Sequence, residues 1–173
     1  MIDQTHGNVR PVSRGPQALI CRTLVLAVVA ATGSASAASI VVSSDADNTN
    51  IDGSCTLREA IWNANDDAQI NVDCASGSGA DTIVFSFTGP SDRTITLTAA
   101  LPNVTNDSVL TIDGGSLGIT VSGDNQYRVF YLVNGSTLEL QHIRIEKGYG
   151  TGGGGAIMGL GTLSLADSVL VRN

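Results

Sequence analysis

Residues 137–148, TLELQHIRIEKG, and residues 162–173, TLSLADSVLVRN, align without a gap at an offset of 25. Leu138 and Leu163, Leu140 and Leu165, and Ile145 and Leu170 stay apolar between the copies. A repeat of twenty-odd residues, built from short alternating runs, is the signature of a solenoid whose stacked turns share one core. In the first copy the apolar phase slips between Leu140 and Ile143, as it must where a chain turns from one sheet to the next. The competing reading is a β-sandwich with a chance internal similarity.

The runs upstream have the same character. Ser39–Val42, Thr82–Phe87, Thr94–Thr98, Val109–Ile112, Ile119–Val121 and Val129–Val133 are rich in Val, Ile, Thr and aromatics. Each is closed by Gly, Asn, Asp or Pro, so they read as short strands of an all-β protein. One segment breaks the pattern, CTLREAIWNAN at 55–65. Thr56 and Glu59 have capping-box spacing. Leu57, Ala60, Ile61 and Ala64 fall on one helical face. Asn63, Asn65 and Asp66 then close it. A helix this short needs an apolar support to persist in water.

The chain has 173 residues, nine basic and sixteen acidic, and a net charge of −7. Arg10, Arg14 and Arg22 precede an apolar run, Thr23–Ala31, and then Ala35-Ser36-Ala37. This is the layout of a secretory signal peptide cleaved before Ala38. The run is too short to cross a bilayer, which takes about 20 apolar residues. Residues 1–37 are therefore expected to be a signal peptide, 38–80 an N-terminal cap and 81–173 the β-helix turns. Removal of the leader leaves six bases against fifteen acids, a charge of −9. Such a surface disfavours nucleic acid and anionic membranes, and suits cations or neutral glycans. Cys21 leaves with the leader. Cys55 and Cys74 remain, either as one disulfide or as two buried thiols.

Cys55-Thr56-Leu57-Arg58-Glu59-Ala60-Ile61 resembles the signature of the CSLREA-domain family, with Thr56 where Ser is usual. Gly53 before it, Asn63-Ala64-Asn65 after it, Gly79-Ala80-Asp81-Thr82-Ile83, Leu101-Pro102, Leu110-Thr111-Ile112-Asp113-Gly114 and Arg128-Val129-Phe130 continue the resemblance in order. It implies a right-handed parallel β-helix of an exported bacterial protein, secreted or held at the cell surface. The helix face of Leu57, Ala60, Ile61 and Ala64 would then cover the open end of the β-helix, which otherwise invites aggregation. A Cys55–Cys74 bridge would pin that helix against the first turn. Trp62 is expected to be a core anchor there, the alternative being an exposed ligand platform. Many relatives carry further turns and anchoring segments. This chain is expected to continue into more turns or to associate with itself at its C-terminal end.

Candidate chemistry is thin. Asn48, Asn50, Asp52 and Glu59 have the spacing of a calcium loop, with Asn at the first ligand position. Asp45 and Asp47 lie close enough to assist. Calcium is the one cofactor the sequence offers. Asp113 sits at a turn, and His142, Arg144, Glu146 and Lys147 share one turn of the repeat. A glycan-cleaving site would need carboxylates facing each other across neighbouring turns. Neither a G-x-S-x-G nucleophile elbow nor a zinc spacing occurs. Gly152–Gly155 precedes no helix pattern and reads as a corner, not a phosphate loop. The expected function is a structural or adhesive scaffold whose partners are glycans or cell-surface molecules. The alternative is a polysaccharide lyase or glycosidase with its site on further turns.

Overall fold

The computed structural model describes residues 37–105 and 108–173, together with Met1. Apart from Met1 and Ala37, the segment expected to be a signal peptide lies outside the described residues, and so does Cys21. The first strand is β1 (Ser39–Val42), followed by the helix α1 (Leu57–Asn65). Then come β2 (Thr82–Phe85), β3 (Thr94–Thr96), β4 (Val109–Asp113), β5 (Ile119–Ser122) and β6 (Phe130–Leu132). The chain finishes with β7 (Thr137–Gln141), β8 (Ile143–Glu146), β9 (Ile157–Gly159), β10 (Thr162–Ala166) and β11 (Val169–Val171).

Among the described residues, every pairing between these strands is parallel. They form three sheets that the chain visits in rotation. The first is β1-β2-β4-β7-β10, the second β11-β8-β5-β3, and the third β6-β9. Val104 extends the third sheet by a parallel bridge to Leu132. The result is a β-solenoid of about three turns. The offset of 25 is the physical register, since Thr137 pairs with Thr162 and Arg144 with Val169.

Alternation builds the interior. In β4 and β7 every second residue is buried. The registers stack Ile40, Ile83, Ile112 and Leu140 in one inward column and Ile95, Val121 and Ile145 in another. All seven are essentially inaccessible. Burying one such side chain contributes about 1.5–3 kcal/mol. The columns continue into Leu165 and Leu170, which are 45% and 40% exposed.

The corner between the first and second sheets explains the slipped phase. Asp92, Gly118, His142 and Asp167 occupy equivalent places, each two residues before a paired residue of the second sheet. All four have φ between 48° and 62°. One left-handed residue re-aims the strand, and Gly, Asp and His tolerate that conformation better than β-branched residues.

Candidate functional site

Three places gather polar chemistry. The first is the cap. Thr56 is the N-cap of α1, and its hydroxyl accepts from the Glu59 amide while Glu59 Oε2 accepts from the Thr56 amide at 3.0 Å. Leu57, Ala60, Ile61 and Ala64 are fully buried, and α1 packs on β1 and β2. Asn63, also fully buried, donates from Nδ2 to the carbonyls of Asn71, Cys74 and Ala75, and its Oδ1 accepts from the Asn71 amide.

Cys55 and Cys74 form a buried disulfide with Cα atoms 4.8 Å apart. Cys74 lies on the segment that returns from α1 to β2. The bridge joins the residue before the Thr56 N-cap to this return segment, and Cys55 is itself held at the end of β1, its carbonyl accepting from the Ser43 and Ser44 amides at 2.9 and 3.0 Å. Arg58 and Asp47 add a second attachment to the turns. Arg58 donates twice to the Asp47 carboxylate at 2.8 Å and also to the carbonyls of Ala99 and Ala100. Asp47 accepts in addition from the Thr98 amide and hydroxyl. The sequence reading missed this latch, although an Arg inside the signature helix was its signal.

Trp62 is not a core anchor. It is 44% exposed. The inward face is already filled by small and aliphatic residues, and position 62 falls one turn beyond Arg58 on the opposite side. The calcium-spaced residues are engaged in the loop's own turns, and the Asp73 carboxylate accepts from the Asp52 and Gly53 amides. Asn48 Oδ1 accepts from the Asn50 amide, and Asp52 Oδ1 from the Ser54 amide. Glu59 is held in the capping box, while Asp45 pairs with Arg93 at 2.9 Å. Among the described residues, no group of three or more His, Cys, Asp or Glu side chains is placed to hold a metal ion.

The second place is the corner column. His142 Nδ1 lies 2.8 Å from Asp113 Oδ1, and its Nε2 lies 3.8 Å from Asp167 Oδ2. Three successive turns thus contribute one residue each. Burial works to raise the Asp113 carboxyl, but the His142 hydrogen bond, the Gly115 amide and the imidazolium charge hold it below the usual carboxylate range. The column borders an open groove of about 360 Å³ on the outer face of the second sheet, floored by Thr94, Thr120 and Arg144. Arg144 pairs with Glu146 on its own strand at 3.1 Å.

The third place escaped the sequence reading. The chain has three tyrosines: Tyr131 lines one small cleft and Tyr127 and Tyr149 a second, and the two clefts share Arg128 and Ala100. The clefts measure about 210 and 230 Å³. Tyr131 points outward from β6 between buried Phe130 and Leu132. The Arg128 guanidinium stands 5.8 Å from the Tyr131 ring centroid, and the carbonyls of Gly153 and Gly154 accept from it. No carboxylate among the described residues pairs with Arg128. The Tyr149 amide bonds to the Tyr127 carbonyl, which sets these two residues on adjacent turns. The available signal was the near-repeat spacing of the tyrosines, which one copy of the motif does not reveal. Compared with known proteins, the chain matches no family model, no curated protein and no solved structure.

Proposed function

We propose that this chain belongs to an exported structural or adhesive β-helix scaffold, secreted or at the bacterial cell surface, that binds neutral glycans. The observation that carries this reading is the Tyr127–Tyr131–Tyr149 face around Arg128. Aromatic rings offer flat apolar platforms to the C–H faces of sugars, with polar tips at their edges. A guanidinium with donors to spare can hydrogen-bond ring hydroxyls. Each cleft has the size of about one sugar ring and opens to solvent. The resemblance of residues 53–65 to CSLREA-domain proteins supports the export. The overall negative charge disfavours polyanionic ligands.

A glycan array and equilibrium dialysis with neutral oligosaccharides test the proposal. Binding without turnover is expected, weakened at least about tenfold by Tyr131→Ala or Arg128→Ala, as for a buried or stacking contact. Binding that survives both substitutions would overturn it.

The second reading is a polysaccharide lyase or glycosidase, and the convergence of Asp113, His142 and Asp167 favours it. Here the imidazole fills the space between the two carboxylates, where a glycosidase would need a sugar oxygen or a water. Release of reducing ends or unsaturated products, abolished in His142→Ala and Asp113→Ala, would favour this reading over the scaffold.

A further inference from the structure

The amide nitrogen of Ala38 donates to Asp81 Oδ1 at 3.1 Å. Asp81 is 1% exposed, and its Oδ1 also accepts from the Ser78 amide. Its Oδ2 has no hydrogen-bond partner, and no cation pairs with the carboxylate among the described residues. Burying an unpaired carboxylate is costly. Burial pushes the Asp81 carboxyl above its usual range, the Ser78 and Ala38 amides oppose this, and the charge of Asp67 adds to the rise. The acceptor side of this site is thus complete, and what it lacks is a positive charge at the nitrogen of Ala38.

The sequence places a cleavage signal at that atom. Ala35-Ser36-Ala37 ends the leader pattern immediately before Ala38. Ala37 is exposed, whereas the Ala38 carbonyl accepts from the Thr82 amide at the start of the first sheet. We propose that hydrolysis of the Ala37–Ala38 peptide bond makes the new α-ammonium of Ala38 the counter-ion of buried Asp81, so that removing the leader completes the fold. The step consumes one water and is catalysed by a signal peptidase. The C–N bond breaks, Ala37 keeps a carboxylate, and Ala38 gains an ammonium. That group brings three N–H donors where the amide had one, and a charge opposite to that of Asp81.

This inference rests on the export reading, and the test separates the two. The described residues from Ala37 to Asn173 lie in one compact unit, so the chain beginning at Ala38 is compared with one beginning at Ala37. N-terminal sequencing of the exported protein is expected to begin at Ala38, and a start elsewhere would overturn the cleavage assignment. An NMR titration of the Ala38 amine is expected to give a pKa raised by about one unit or more over the usual 7.7–8.0. The Ala38 form should melt higher than the Ala37 form at pH 7. Asp81→Asn keeps an acceptor for both amides but no charge, so it should erase the raised pKa and the melting difference. An Ala38 start with an ordinary amine pKa and no melting difference would overturn the ion pair while leaving export standing.

Discussion

Asp47 and Arg58 show how one buried pair can join two parts of a chain. Their side chains are 1% and 12% exposed, and between them they hold residues 98–100. Removing one partner leaves a buried charge uncompensated, which costs about 3–5 kcal/mol. Arg58→Ala is expected to lower stability by that order in urea melts, with Arg58→Ala/Asp47→Ala less damaging than the single change. Asp113 provides a pH signature. Its carboxyl is held below the unfolded value by His142 and Gly115, so the folded state releases the proton more readily. The contribution is fully present above the ordinary range near about 4 and is lost as pH falls through the lowered value. Wild type should therefore outlast Asp113→Asn at pH 6, and the gap should close in acid when denaturant midpoints are compared. None of these partnerships was legible in the sequence. The sequence offers Asp47 as a helper for calcium and Asp113 as a turn former or a candidate carboxylate of a glycan site, but not their partners, because neither partner is near in sequence.

At the scale of elements the sequence reading did better. The helix was legible because capping box, apolar spacing and Asn stop agree within eleven residues. Strands β1 to β8 were legible from alternation, to within one or two residues at their ends. Strand β9 was not, because Ile157–Gly159 is three residues long and follows a run of glycines. The cap yields two predictions. Replacing Cys55 and Cys74 by Ser opens a loop of 19 residues' separation and should cost about 3 kcal/mol in thermal or chemical unfolding. Leu57→Asp puts a charge on the fully buried face of α1 and should lower the melting temperature at least as far, because nothing there can pair it. An unchanged melting temperature for Leu57→Asp would mean that the helix does not seal the end of the solenoid.

For the whole molecule, stability should be graded along the axis. The inward columns are covered through β4, β5, β7 and β8 and exposed at β10 and β11. Backbone opening costs least where few apolar contacts hold it. Hydrogen exchange is therefore expected to be slowest in β4 and β7 and markedly faster in β10 and β11, although β10 carries the same alternating pattern as β4 and β7. Equal protection in the four strands would show that the last turn is covered in solution. The solenoid as a whole was legible from only the last two turns, which share an offset of 25. Earlier turns differ in length, with Thr82 paired to Thr111 and Thr94 to Thr120. Unequal corners hide the repeat in a linear reading while leaving the stacking intact.

Those unequal corners also make the molecule tolerant of revision. Each strand finds its neighbour through its own inward column, and the left-handed residue at the corner between the first and second sheets resets the direction before the next strand begins. Extra length between Phe87 and Asp92 is taken up outside the columns and passes no error to the turns that follow. New loops can therefore be grafted there, one turn at a time, and tried against new ligands while the interior that supports them stays as it was.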